Sequence, residues 1–492
     1  MREELMFRRL LLVSLCLLIF GALAGYAQDD ITIFATVGAY YPDEPTENNP
    51  NPPSMMNDIV AEYEAANPGV NIELVDVPSN ISGDQWRSTV FNGQNEPHII
   101  VNNYIRVWQE QGNDWYVPLN DYIEAPNPYI PAGTPGHERW ADSIPEVVWN
   151  TTYHTGSGNQ YVVTVNAVAV GFFYNIDLLT EMGNDTKFDL PYSLWADWDT
   201  MITEMGAIAE AGVEPLAMSM STASPYTYNW FDGTSLTSMY IDHIESWWEP
   251  GATWHALNQR EFACAIQNGL ISANDDAFAD WIQLLADFEP MWVDGYATMT
   301  WDEAYRLFIT GKTPFLLGNA ASQTLNVTRD ADFNWGISYF PPVTETTSAY
   351  AANNESAYLV GGFTAGFTMT DRARREGIED QVIDFFMYMT AQPQWGRIVT
   401  ESPRSIPTQL GLDVPDALKP TVAFLELPIR ALKDPDPRLS RRYGEDHRRL
   451  MQEYFTDQID FDTLIAEEDR LMTREARVVI AENDWSCDFQ ME

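Results

Sequence analysis

Lysine is almost missing from this 492-residue chain. Lys187, Lys312, Lys419 and Lys433 are its whole complement, and 27 Lys and Arg stand against 72 Asp and Glu. The net charge of −45 repels phosphodiester backbones and anionic lipid, so nucleic acid and membrane surfaces are set aside as partners; the charge speaks to solubility, and fits a salty habitat, but says nothing of fold. Catalytic motifs are missing too. There is no Gly-x-Gly-x-x-Gly, no P-loop and no Gly-x-Ser-x-Gly elbow, so nucleotide and serine-hydrolase chemistry lack their usual supports. Gly156-Ser157-Gly158 reads as a turn. The six histidines, His98, His137, His154, His243, His255 and His447, form no His-x-x-x-His pair and no Cys/His cluster. That argues against zinc, and each reads as a surface or satisfied polar residue. No metal and no cofactor is implied. With 72 acidic residues, any two carboxylates named as a glycosidase pair would carry no information.

Long apolar runs are also absent. The one near the N-terminus, Leu10 to Phe20, is too short to span a membrane. Arg8-Arg9 precede it, and Gly25-Tyr26-Ala27 places small residues at positions −3 and −1. This is the layout of a cleavable secretory signal, with cleavage expected after Ala27. Met6 offers a second start, since Arg2-Glu3-Glu4 makes an odd beginning. Leu15 stands before Cys16 where a lipoprotein signal would place Gly, Ala or Ser, so the expectation is Sec-type export to the periplasm or extracytoplasmic face without a lipid anchor. Arg8-Arg9 lend twin-arginine export only weak support. Of three cysteines, Cys264 and Cys487 remain after cleavage. An oxidising compartment permits one disulfide, but two positions carry no geometry, and two unrelated thiols are the favoured reading.

What is present points to a large α/β protein. The chain is too long for one ordinary core of roughly 100–200 residues, and it is 45% hydrophobic, so two lobes or more are expected. ITIFATV (31–37) reads as a buried strand, followed by a Pro- and Asn-rich insert. Met55, Met56, Ile59, Val60 and Tyr63 recur at helical spacing up to Asn67-Pro68-Gly69, and VNIELVDV (70–77) alternates as a strand. Strand, helix and strand with short joins imply a parallel sheet. A helix around Trp86, Val90 and Phe91 and a strand at His98–Val101 continue the pattern. LWADWDTMITEMGAIAEAG is a helix and PLAMSM a strand; Thr300–Glu303 is a capping box whose helix Gly311 closes. PFLLG and NWGISYFP read as strands, YLVGGFTAGFTMT as a strand or hairpin, and Leu450–Ile480 as mostly helix. The run from Tyr161 to Asn175 is unusual, strand-like for far longer than the usual ~5–6 residues.

The chain holds 17 Trp, 23 Tyr and 23 Phe. Several cluster with short amides in expected loops: Tyr40-Tyr41, Asn102-Asn103-Tyr104, Tyr226 to Trp230, and Trp247-Trp248. A flat ring beside amides and carboxylates suits a sugar, whose C–H face stacks on the ring while its hydroxyls pair with the polar groups. Most such rings nonetheless serve as core, and only Tyr226–Trp230, just past a strand, weighs evenly between the two readings.

Taken in order, several segments resemble the bacterial extracellular solute-binding proteins of the sugar-importer type, the family of maltose-binding proteins. They are the helix–Asn67-Pro68-Gly69–strand, Asn92-Gly93…Pro97-His98-Ile99-Ile100, Phe173-Tyr174-Asn175-Ile176-Asp177-Leu178-Leu179, Trp198-Asp199, Phe308-x-x-Gly311-Lys312 and Ile406-Pro407. Two positions depart from the family pattern: His98 stands for an Asp, and Gly318-Asn319-Ala320 lacks a Trp. The resemblance implies a two-lobe periplasmic-binding-protein fold of type II, each lobe a mostly parallel sheet flanked by helices and joined by crossing strands. It places residues 1–27 in the signal, 28–167 with 342–412 in one lobe, and 168–341 with 413–492 in the other. Tyr161–Asn175 becomes the first crossing, with Asn166 near the hinge and Asn175 or Asp177 at a helix cap. Return crossings fall near Pro341-Pro342 and Gly411. Carried over by position, the ligand would meet Tyr40, Tyr41, Asn102, Asn103, Arg106, Asn166, Tyr226, Trp230, Asn319, Gly362 and Phe363. The implied role is capture of a carbohydrate and its delivery to ABC permease membrane subunits by a monomer, with no reaction. Two alternatives stay open, a secreted glycosidase-like enzyme and the same fold binding a phosphate ester, peptide or metal chelate. The latter would draw on Arg106, Lys312 and Arg404.

Overall fold

The structure, a computed structural model, describes residues 30–490 except 43, 45–51, 79–80, 82, 155–156, 168–169, 185, 222–231, 234, 237, 251–256, 352–365, 403–405 and 413–438. The expected signal segment lies outside the described residues. In chain order the strands used below are β1 (Ile31–Ala35), β2 (Val70–Leu74), β3 (Ile99–Asn102), β4 (Asn166–Ala167), β5 (Val170–Asn175), β6 (Leu216–Ala217), β7 (Phe315–Asn319), β8 (Trp335–Ser338), β9 (Gly366–Met369) and β10 (Ile406–Pro407). The helices named here are α1 (Met55–Ala66), α2 (Gly83–Asn92), α3 (Tyr104–Gln109), α4 (Ile176–Glu181), α5 (Trp198–Glu210), α6 (Gln259–Gln267), α7 (Asp276–Phe288), α8 (Trp301–Ile309), α9 (Gln392–Glu401), α10 (Arg441–Phe455) and α11 (Phe461–Glu482).

The N-terminal βαβ unit forms as its pattern requires. β1 and β2 pair in parallel with Ile33 opposite Ile72, and α1 buries Met56, Ile59 and Tyr63. β3 joins β1 in parallel and β9 joins β3 antiparallel, giving the order β9-β3-β1-β2. The second sheet has the order β8-β5-β7-β6. Here the expectation of mostly parallel pairing needs correction: β6–β7 is parallel, but β5 runs antiparallel to both β7 and β8.

This entry accounts for the long strand-like run. Val163 exchanges backbone hydrogen bonds with Phe367 of β9, at 2.9 and 3.0 Å. β4 then pairs with β10, and β5 sits at the centre of the second sheet. All six residues of β5 are buried, as a strand covered on both faces must be, and so apolar residues follow one another without alternation. Gly366 begins β9 because nothing larger fits: a Cβ there would lie 2.5 Å from Val162 Cγ1 and 2.7 Å from the Val163 carbonyl.

Two main cores result. The first gathers side chains from Ile33 to Ala167 and from Phe367 to Ile406; the second takes Val170, Phe172 and Phe173 and runs on to Cys487. Tyr339 packs in the first core and Phe340 in the second. Just beyond, Pro342 accepts from the Trp198 N–H, and Thr346 and Thr347 bind Asp199 at the start of α5. Val343 and Ala351 therefore still belong to the second core. Leu412 packs on the first core and Leu439 in the second. α4 opens on an Asn175 side-chain cap to Leu178 N–H, while Asp177 instead binds Asn334. α8 carries its capping box, and Gly311 (φ +68°) closes it with 2.9 Å bonds from Gly311 to Phe308 and from Lys312 to Leu307.

The reading of two unrelated thiols is overturned. Cys264 and Cys487 form a disulfide across 223 residues. α6 and α11 pack side by side, and the chain after α11 folds back, held by Arg260 on the Ser486 carbonyl and Asn268 on the Cys487 carbonyl, both at 2.9 Å. Chain separation hid a pairing that tertiary packing makes.

His447 of α10 is buried between two acids. Nε2 lies 3.0 Å from Asp232 and Nδ1 3.0 Å from Glu468, and the Trp281 and Tyr443 rings lie nearly parallel to the imidazole, with centroids 5.9 and 5.8 Å away. Burial alone would lower its pKa, but Glu468 and Asp232 outweigh burial and raise it to about 9.

Both the cross-link and the buried histidine should register in stability measurements. Replacing both Cys264 and Cys487 by Ser should cost about 2–5 kcal/mol in chemical denaturation, since the cross-link closes a long loop. A folded pKa above the unfolded value of about 6.5 stabilises fully below that pH and is lost as pH rises through about 9. Denaturation midpoints of the wild type should therefore fall between pH 6.5 and 9 more steeply than those of His447→Gln.

Candidate functional site

Strand direction places the site. β1 ends at Ala35, and Tyr40 just beyond it reaches Asn166 of β4. β3 ends at Asn102, opposite Gly366. In the second sheet β7 ends at Asn319, opposite Val170, and β8 ends at Ser338, opposite Phe172. The carboxyl ends of strands from both sheets thus surround the crossing, the position at which such sheets bind ligands.

At its centre three side chains interlock. Asn166 donates from Nδ2 to the Tyr40 hydroxyl at 3.1 Å and accepts on Oδ1 from the Trp395 indole at 3.3 Å. The Tyr40 and Trp395 rings meet edge to face at 5.2 Å. Tyr40 is 7% exposed and Trp395 fully buried, while Asn166 is half-buried. Tyr40 thus braces Asn166 and offers no open ring face. Tyr41, half-buried, packs at the margin of the first core.

Along the β3 rim, Asn102 is buried. It donates to the Tyr116 hydroxyl at 3.0 Å and accepts from the Asn103 N–H at 2.9 Å. Asn103 and Arg106 are half-buried beside it. Tyr104 packs edge to face on Trp108 in a small satellite core, and Trp247 lies in the second core, so these rings are structural. Asn319 contributes its backbone to β7; its side chain, Tyr226, Trp230, Gly362, Phe363 and Arg404 lie outside what is described. The structure thus brings Tyr40 and Asn166 into direct contact, and sets Asn102, Asn103 and Arg106 on a neighbouring rim.

Sequence reasoning missed Trp395 and Tyr116. Trp395 sits 229 residues from Asn166 and carries no local signal. Tyr116 follows Asn102 by 14 residues, and the aromatic pair Trp115-Tyr116 was the available clue. His98 proves to be a framework residue. Fully buried, it accepts the Phe34 N–H on Nδ1 and faces Glu376 with Nε2, both at 3.0 Å. Burial lowers its pKa despite Glu376, so the neutral ring supplies the acceptor that β1 needs.

Residues 48–368 match the family model described as bacterial extracellular solute-binding protein. No curated protein sequence matches the chain. Among solved structures, a chitin oligosaccharide binding protein aligns with a TM-score of 0.63 at 15% identity, covering 93% of this chain and 100% of that one. RafE from Streptococcus pneumoniae aligns at 0.64 and 13%, covering 92% and 100%; a raffinose complex of RafE aligns at 0.60 and 13%, covering 91% and 100%. The sugar-binding protein MalE from Xanthomonas citri aligns at 0.62 and 13%, covering 92% and 100%. At these identities the likeness establishes the two-lobe α/β fold.

Replacing Asn166 by Ala should leave the Trp395 N–H buried without its partner. The expected cost is about 1–3 kcal/mol by denaturant titration, and Asn166→Asp, which keeps the acceptor, should recover part of it.

Proposed function

From the premise that the chain belongs to the bacterial extracellular solute-binding proteins, we propose that it captures a carbohydrate between its two lobes outside the cell membrane and delivers it to the membrane subunits of an ABC importer. The carrying observation is the crossing itself. One stretch of chain leaves the first sheet at Val163 and becomes the buried centre of the second at Val170–Asn175, so strand ends from both sheets face a shared space. Lobes joined by short crossing strands close on a ligand by hinge bending. Amide, hydroxyl and guanidinium groups at Asn102, Asn103, Arg106 and Asn166 suit sugar hydroxyls. We place Tyr226, Trp230, Gly362 and Phe363 at the cleft edge by position in the sequence, with Tyr226 stacking on the sugar ring. Asn319 stands where the family pattern has Trp, and favours a hydrogen-bonded contact there over a stacked one.

Export through the N-terminal signal and action as a monomer complete the reading. The chitin oligosaccharide, raffinose and MalE structures support a carbohydrate ligand by fold and by the ligand class they name. Among the described residues no helix is long and apolar enough to cross a membrane, so membrane passage would fall to partner subunits.

Thermal unfolding of the mature chain against mono- and oligosaccharides, with product analysis of the same mixtures, tests the proposal. A sugar at about 100 times its dissociation constant should add about 2.7 kcal/mol, a shift of a few degrees, and be recovered unchanged. Cleavage products would identify an enzyme. No shift with any sugar would sink the carbohydrate reading and move the panel to phosphate esters and peptides.

A further inference from the structure

Behind Asn102 stands a chain of hydrogen bonds with a single sense. Arg87 of α2 contacts Glu110 Oε1 at 3.4 Å, and the other Glu110 oxygen accepts the Tyr116 hydroxyl. That hydroxyl accepts in turn from Asn102 Nδ2, while Asn102 Oδ1 takes the Asn103 N–H. Arg87, Tyr116 and Asn102 are all buried. The Tyr116 hydroxyl has a single proton, and it is directed to Glu110. Its lone pairs then face Asn102, which must answer with its NH2 group and turn its carbonyl toward Asn103. Amide orientation is often the least determined feature of an Asn. Here a flip would oppose carbonyl to lone pair and NH2 to N–H at once. Burial, followed by the charge and hydrogen bond of Glu110, pushes the Tyr116 pKa far above its ordinary value, so the hydroxyl keeps its proton.

We propose that Tyr116, aimed by Glu110, is a positioning residue that fixes the Asn102 amide and, through it, the Asn103 peptide, thereby setting the hydrogen-bond pattern the β3 rim presents to a carbohydrate. It rests on the carbohydrate reading above. The Asn103 N–H is already engaged, so recognition at this rim falls to side chains, with Asn103 and Arg106 following immediately. None of the sequence motifs marks Tyr116 or Glu110 for such a role.

The test is a double-mutant cycle on ligand affinity, measured calorimetrically with the sugar that gives the largest thermal shift. Tyr116→Phe should weaken binding about tenfold, the loss of one hydrogen bond, and Asn102→Ala, which loses two, at least as much. The double variant should bind no more weakly than Asn102→Ala, because Tyr116 acts only through Asn102. Glu110→Gln retains an acceptor and should bind nearly as the wild type does, whereas Glu110→Ala should match Tyr116→Phe. Should Tyr116→Phe fail to fold, the two Glu110 variants decide alone. Factors that multiply independently in the cycle, or an unchanged affinity in Tyr116→Phe and Glu110→Ala, overturn the proposal. A wild type that binds no sugar overturns the carbohydrate reading, and this proposal with it.

Discussion

Everything in this molecule depends on one piece of backbone satisfying two sheets in succession. Between Val163 and Asn175 the chain pairs with β9, then β10, then β7 and β8. Buried peptide groups left without partners are costly, so the segment cannot shift in either sheet without opening ladders in the other. That constraint holds β5 between β7 and β8 in the second sheet. It forces glycine at position 366, where the returning strand touches the outgoing one. It also gathers Tyr40, Asn166 and Trp395 where the first core meets the passage.

Much of the fold is legible in the order of residues alone. Helical and alternating periodicities locate α1, α5, α8 and the first three strands, and the turn and cap residues at Asn67-Pro68-Gly69 and Thr300–Gly311 mark their ends. The long strand-like run from Tyr161 to Asn175 signals an unusual stretch, whose second part is the buried strand β5. Strand direction in the second sheet is not legible, because periodicity carries no sense of parallel or antiparallel. Nor are the contacts beyond Pro341-Pro342, where the hydroxyls of Thr346 and Thr347 hold the chain to Asp199. The Cys264–Cys487 bond is invisible for the same reason: it depends on how α6 and α11 pack.

The candidate site is legible in its chain positions and less so in its chemistry. Residues after strand ends can be named, yet whether each side chain faces a ligand or a neighbour is a tertiary matter. Tyr40 shows this. Its position predicts a cleft residue, and its contacts make it a brace for Asn166. Asn102 shows it again, since both ends of its amide are committed within the protein. The charged groups divide in the same way. With net charge −45, most acids are interchangeable as sequence, but Asp232, Glu468 and Glu110 are singled out by the cations and hydroxyls that they hold under cover.

The disulfide has a topological consequence. Its two ends bracket residues 264–487, and this interval contains two changes of core along the chain, between Ala351 and Phe367 and between Leu412 and Leu439. Either passage could be severed by a single backbone cut without releasing a fragment, because each product still carries one of the two bonded cysteines. Clipped protein would migrate as one species until reduced, and both halves of the cleft would stay at high effective concentration.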